Sequence, residues 1–272
     1  MRRRTRFLIN TASIELWPGG LLRARGNADA RLMSRAHTVL RRKRDGRYLA
    51  AVVPEGIQSL MPRWSREPGI DEALDQLDRL ASARSCDVDA AGSLPLDRLQ
   101  ERLESLGVDD HYAQDTGLPL VAEPVALALA GFDRYRRPLW LGAGAARAWE
   151  NLRRSAATQG VVLEAISGYR SHDYQLGIFE RKLARGLDLQ QILTVNAAPG
   201  YSEHHDGNAL DIGTPGEPPA EESFEDTPAF EWLQANAARF GFRMSYPRDN
   251  PNGIVYEPWH WYYLGNAGQP DA

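Results

Sequence analysis

The spacing of hydrophobic positions changes character along the chain. Near the start they fall in short runs: Thr38-Val39-Leu40 and Tyr48–Val53 flank Asp45-Gly46, which predicts a β-hairpin with a tight turn. From Gly69 to Gly107 the spacing becomes helical. Leu74, Leu77 and Ala81 share one face, and Leu96, Leu99, Leu103 and Leu106 share another, at offsets of three and four. Ala90-Ala91-Gly92-Ser93 and Pro95 interrupt the two, so two amphipathic helices are expected.

Beyond an apolar segment at Leu118–Ala130, a helix is predicted over Arg147–Thr158 with Trp149, Leu152 and Ala156 inward. A strand over Val161–Ile166 should deliver Ser167-Gly168-Tyr169-Arg170-Ser171 at its end. Ser171 can cap a helix carrying Leu176, Phe179 and Leu183 on one face and ending near Gly186. Gly216, Pro218 and Pro219 mark a loop. Thr227-Pro228 starts a helix with Phe230, Leu233, Ala237 and Phe240 inward, stopped by Gly241. Phe242–Tyr246 and Gly253–Glu257 read as paired strands. The pattern divides the chain into three parts: a β-rich unit over 1–68, a helical connection over 69–114, and a domain over 115–272 that holds both helices and paired strands.

Composition adds a charge asymmetry. Residues 1–66 hold 15 Lys or Arg against 4 Asp or Glu, a balance of +11; the remainder holds 17 against 32, or −15, giving −4 for the 272 residues. The densest run, Arg41-Arg42-Lys43-Arg44, suggests either a surface for an anionic polymer or intramolecular docking on the acidic remainder. No apolar run is long enough to span a membrane. The basic stretch at 1–6 is followed by only three apolar residues, Phe7-Leu8-Ile9, too few for a recognisable secretory signal; that feature alone reads as cytoplasmic, and the compartment stays open. The single cysteine, Cys86, excludes an internal disulfide framework and a thiolate zinc cluster, and reads as a small residue of a helical connection.

The candidate chemistry lies in Y-S-E-H-H-D-G-N-A-L-D-I-G (Tyr201–Gly213) and Y-E-P-W-H-W-Y-Y (Tyr256–Tyr263). Imidazole and carboxylate are good zinc ligands, and a catalytic zinc keeps three protein ligands with one position open. His204, Asp211 and His260 would make such a set. The offset of seven between His204 and Asp211 would place them on opposite faces of one continuous strand, but Gly207 can break the run into a loop followed by a strand. Asp211 would then share a face with Ala209, with Leu210 and Ile212 pointing into a core. Pro258 disfavours helical backbone at Glu257 and suits a tight turn, so Glu257 and His260 are expected on one side of it. There Glu257 can act as a proton carrier without binding the metal. His205 is the rival ligand, but neighbours on an extended segment point oppositely. His172 reads as a helix-start residue, and His37 and His111 receive no role.

Three motifs carry a resemblance: S-x-H-x-x-G-x-A-x-D (Ser202–Asp211), S-G-Y-R-S (Ser167–Ser171) and E-P-W-H-x-x-Y (Glu257–Tyr263). Together with F-E-W-L-x-x-N-A-x-x-F-G-F (Phe230–Phe242), they make residues 115–272 similar to zinc-dependent D-alanyl-D-alanine carboxypeptidases of the VanY type and their L,D-carboxypeptidase relatives. The resemblance implies a Hedgehog/DD-peptidase-like α+β fold with a small antiparallel sheet flanked by helices, one zinc ion per chain, and cleavage of the terminal residue from peptidoglycan stem peptides. It matches His204, Asp211 and His260 to the zinc ligands, Glu257 to the catalytic base, and Arg170 to the arginine that steadies the scissile carbonyl. Ser202, Tyr169, Gln175 and Trp259, within or beside the same motifs, are expected to contact substrate, although Trp259 also reads as core. Two arginines frequent in relatives are replaced here by Tyr262 and Ser245, which bears on recognition of the substrate carboxylate.

The expected reaction is hydrolysis by metal-activated water, removing a C-terminal D-alanine. D,D- and L,D-cleavage both remain open, as do a D,D-dipeptidase, a lysin-like endopeptidase and a non-hydrolytic zinc module of the same fold. Retention of Glu257 argues against the last. A serine hydrolase using Ser202 or Ser167 lacks a G-x-S-x-G elbow.

Overall fold

The computed structural model describes residues 7–82, 92–97, 99–109 and 111–265. The readings made on residues 1–6, on Cys86 and on the break at Ala90-Ala91 lie outside them, as does the side chain of Ala81. Two compact units are present. The described residues up to Pro95 with Pro124–Leu129 form the first; Leu96–Glu123 and the described residues from Ala130 onward form the second.

In the first unit, β1 (Phe7–Asn10), β2 (Ile14–Pro18), β3 (Thr38–Arg42), β4 (Tyr48–Val53) and β5 (Gly56–Ser59) form an antiparallel meander. The early part of β6 (Ala126–Phe132) pairs with β1, Phe7 opposite Ala128 and Ile9 opposite Ala126. Alternation divides the side chains between two cores. Ile9, Ile14, Leu16, Leu40 and Leu49 meet Ile70 and Ala73 of α2 (Ile70–Ser82), with Leu74 and Leu77 against the same cluster. Val39, Ala51 and Val53 pack with Met33 of α1 (Asn27–Met33) and Ala36.

The hairpin turns at Asp45-Gly46, where Gly46 has φ +68°, a conformation open to glycine at little cost. Here the basic run is largely neutralised within its own unit. Arg41 pairs with buried Glu15 and lies over the Trp17 ring; Arg42 is buried between Asp45 and Glu67; Lys43 is buried; Arg44 reaches Glu67 with an exposed head.

The second unit begins with α3 (Leu99–Leu106) and α4 (Tyr112–Thr116). Leu99, Leu103 and Tyr112 join Tyr201, Tyr246 and Ile254 in one cluster. After β6 come β7 (Pro138–Leu141), α5 (Ala143–Thr158), β8 (Glu164–Ser167), α6 (His172–Leu183), α7 (Leu189–Leu193), β9 (Ala209–Gly213), α8 (Pro228–Asn236), β10 (Phe242–Met244) and β11 (His260–Tyr263). An antiparallel sheet runs β10-β11-β9-β8. Its inner face carries Ala165, Leu210, Ile212, Phe242 and Trp261, which pack against Trp149 and Leu152 of α5 and Phe230 and Leu233 of α8. Asp211 and His260 therefore point the other way. The α+β expectation is met, and no helix among the described residues is long and apolar enough to cross a membrane.

Some elements differ from the sequence reading. Phe242–Tyr246 was expected to pair with Gly253–Glu257. Instead β10 ends at Met244 and pairs with β11, Met244 opposite Trp261, and Gly253–Glu257 forms no strand. Burial decides this: Trp261 is 4% exposed on the core face, whereas Val255 is 40% exposed. An aromatic side chain taken fully out of water contributes about 2–3 kcal/mol. Asn250 holds the intervening turn, donating from Nδ2 to the carbonyls of Pro247 and Ile254. In α6 the buried residues are His172, Gln175 and Phe179, with Leu183 left 36% exposed, because the helix docks through its polar first turn. α5 begins at Ala143, four residues before the expected start, and β8 begins at Glu164, three after its own.

Candidate active site

Each member of the His204, Asp211, His260 set is placed by a different device. Ser202 accepts from the His204 amide and starts a tight 3-10 turn over Glu203–Asp206; Gly207 ends it with φ +76°, and the chain enters β9. Asp211 sits in the middle of β9, and His260 opens β11 directly opposite it. Their ligand atoms and that of His204 lie within 4.8 Å of one another, all three residues being buried.

Hydrogen bonds fix which nitrogen of each imidazole faces inward. His204 Nδ1–H donates to the Gly168 carbonyl at 2.7 Å, so Nε2 carries the lone pair, 3.3 Å from Asp211 Oδ1. That Nε2 is buried and makes no hydrogen bond. Burial, then nearby Arg170, pushes the His204 pKa down to about 4, so near neutral pH a lone pair faces a carboxylate oxygen. His260 presents Nδ1 to Asp211 Oδ1 at 3.1 Å and Nε2 to Glu203 Oε2 at 2.9 Å. Burial disfavours charge on His260, but the bonds to Asp211 and Glu203 outweigh it and raise its pKa to about 10. Burial likewise works against the Asp211 carboxylate; His204, His260 and Arg170 overcome it and hold the group well below the usual carboxylate range. The enclosure thus favours a positive charge at its centre. Two nitrogen ligands and one carboxylate converging there fit a zinc ion with an open position.

Two further residues border the centre. The Glu257 amide donates to the Tyr246 carbonyl, and the turn through Pro258-Trp259 closes with His260 N–H on the Glu257 carbonyl. This brings Glu257 Oε2 to 3.8 Å from His260 Nδ1. Burial, opposed by His260 and reinforced by Asp211, pushes the Glu257 carboxyl up to about 7, where a group can both take and return a proton near neutrality. Arg170 follows β8, whose pairing with β9 slips between Ala165 and Ser167, re-aiming the chain toward the centre. Its Nη2 lies 3.8 Å from Asp211 Oδ2, and its buried Nε has no hydrogen-bond partner.

The remaining expected residues hold the loops. The Arg170 amide donates to the His204 carbonyl, and the Arg170 carbonyl accepts from His205 Nδ1–H at 2.7 Å. His205 Nε2 accepts from the Gly200 amide, so this neutral ring braces two loops and faces away from the ligand set. Tyr169 donates its hydroxyl to buried Glu123, which also accepts from the His172 amide. Ser202 is the cap described above, and Gln175 is an interior residue, 1% exposed, whose Nε2 donates to the Ala197 carbonyl. Trp259 is half-buried against the main core. Tyr262 donates to Asp206 Oδ2 at 2.7 Å.

Sequence reasoning missed Glu203, Glu123 and Tyr246. Glu203 stands next to a ligand, but no spacing rule gives the direction of a side chain in a 3-10 turn. Glu123 lies 49 residues from its partner His172 in an irregular segment. Tyr246, whose ring lies 4.9 Å from that of His260, carries no sequence signal beyond being an aromatic residue before Pro247.

Residues 139–266 match the VanY family, described as D-alanyl-D-alanine carboxypeptidase. The bifunctional D-Ala-D-Ala dipeptidase and D-Ala-D-Ala carboxypeptidase VanXYC of Enterococcus gallinarum is 31% identical over 148 residues, 53% of this chain and 76% of that protein. The chain belongs to the VanY family. This VanY-family chain is also 36% identical over 165 residues to Bacillus subtilis YodJ, covering 58% of its own length and 59% of YodJ's. Among solved structures, the vancomycin-resistance D,D-pentapeptidase VanY in complex with Zn(II) is 31% identical, with a TM-score of 0.40, over 47% of this chain and 74% of that one.

Proposed function

We propose that the protein is a zinc-dependent carboxypeptidase that removes the C-terminal D-alanine from peptidoglycan stem peptides. The observation carrying this reading is the placement of Glu257, buried and 3.8 Å from His260 Nδ1, beside a ligand set to which it does not belong. A purely structural zinc has no use for such a carboxylate.

His204 Nε2, Asp211 and His260 Nδ1 would hold the ion. Zinc, when bound, supplies Lewis acidity, lowering the pKa of water from 15.7 to about 7 and polarising a carbonyl. Glu257 takes a proton from the attacking water as the new C–O bond forms, and passes it to the departing amine of D-alanine as the C–N bond then breaks. Arg170, with its Nε unpartnered, donates to the carbonyl oxygen as negative charge develops, an effect worth roughly 3 kcal/mol for a single donor. Burial strengthens both roles by excluding water.

Mass spectrometry of defined pentapeptide and tetrapeptide stems after incubation tests the reading. Release of one D-alanine, abolished by a chelator and restored by zinc, is the expected result. Which stem is cleaved assigns D,D- or L,D-specificity. Release of intact D-Ala-D-Ala would instead make this chain a dipeptidase, and no hydrolysis by the zinc-loaded protein would overturn the proposal.

A further inference from the structure

Glu203 has no part in the reaction above, yet it makes the only side-chain hydrogen bond to the far side of a ligand imidazole among the described residues. Its Oε2 lies 2.9 Å from His260 Nε2, and its Oε1 is held by Arg243 Nη2 at 3.3 Å from the neighbouring strand. We infer that Glu203 is a positioning residue for the metal centre, holding His260 through Nε2–H so that Nδ1 faces the centre and can give its lone pair to a bound ion. The inference rests on the zinc reading of the site.

The geometry excludes two simpler roles. Glu203 cannot ligate the same ion, because it meets His260 through Nε2 while Asp211 meets it through Nδ1, on opposite sides of one ring. Nor is it an ordinary surface ion-pair residue: its side chain is 15% exposed and the imidazole it meets only 3%. The two ligand histidines need opposite tautomers. His204 is set by a backbone carbonyl, that of Gly168, which cannot change identity by substitution. His260 begins the row of its strand that faces the site, and its Nε2 meets a side chain and no backbone acceptor, so that side chain supplies the orientation. Glu203 does so because the 3-10 turn that delivers His204 also turns the preceding residue toward β11. Ser202, Glu203 and His204 thus act as a unit: one caps the turn, one orients a ligand, and one is a ligand.

A carboxylate on the outer nitrogen fixes ring orientation and raises ligand basicity, and losing it typically weakens metal affinity about 10- to 100-fold. The test uses the full chain and zinc affinity by chelator competition, which does not depend on turnover. Glu203→Asp keeps the charge but is one methylene too short to reach Nε2; Glu203→Gln keeps the reach and still offers an oxygen acceptor. The expected result is a 10- to 100-fold loss of zinc affinity for Glu203→Asp and a clearly smaller loss for Glu203→Gln, with the zinc-free melting temperatures of both near wild type. Wild-type affinity in Glu203→Asp, or a loss in Glu203→Gln equal to or larger than that in Glu203→Asp, would overturn the positioning role while leaving the zinc reading intact. Failure of the unaltered chain to take up zinc would overturn both, and that is read on the wild type before either variant.

Discussion

His260 and Asp211 stand directly opposite each other on paired antiparallel strands, with Nδ1 and Oδ1 3.1 Å apart. Sheet register, more than loop conformation, therefore holds two of the three candidate ligands at fixed separation. Purified protein is expected to carry about one zinc per chain, and His204→Ala or His260→Ala should remove most of it. Removal by chelator should also lower the melting temperature, since a ligand that binds only the folded state adds about 2.7 kcal/mol at a hundredfold excess over its Kd. Elemental analysis showing full occupancy in both variants would refute the ligand assignment.

Glu257 is predicted to act on protons and not on the metal. Glu257→Gln should retain zinc and fold while turnover falls at least about a hundredfold, the usual scale for loss of a general base. Single-turnover kinetics with a stem peptide, alongside metal analysis, separates the two. Wild-type turnover in this variant would require another base.

Tyr262 is expected to behave as a structural residue. Its hydroxyl satisfies Asp206, itself half-buried and with its pKa raised by that burial. Tyr262→Phe removes one hydrogen bond from a half-buried carboxylate and should cost about 1–3 kcal/mol of stability with KM little changed. A tenfold rise in KM at unaltered stability would instead place Tyr262 in contact with substrate.

In the first unit, Asp45 should give the hairpin an acid-sensitive element. Its pKa is lowered to about 2, chiefly by the hydrogen bond from Arg42 acting against partial burial. A carboxylate whose folded pKa lies below its unfolded value, near 4, contributes stability that is complete above pH 4 and lost as pH falls toward 2. Asp45→Asn should therefore melt below the wild type at pH 6 and close to it near pH 2. A constant gap between the two proteins across that range would exclude the linkage.

Much of this protein is legible along the chain. The Asp45-Gly46 hairpin, the Thr227-Pro228 helix start and the loop-then-strand break at Gly207 each rest on backbone chemistry that neighbouring residues dictate, and each appears where that chemistry places it. The convergence of His204, Asp211 and His260 was readable for the same reason: a glycine hinge and a proline turn give local directions that hold in any surrounding. Only the tertiary structure decided which strand β10 would join, because Val255 and Trp261 have similar β-forming tendencies and differ in the core available to cover them. It also turned the basic run of the first unit inward onto Glu15, Asp45 and Glu67, partners that no charge count reveals. Glu203, Glu123 and Tyr246 belong to the same class. Each acts through a side chain whose direction is set by distant packing, and sequence spacing carries no information about a contact between residues brought together only when the sheet and its loops close.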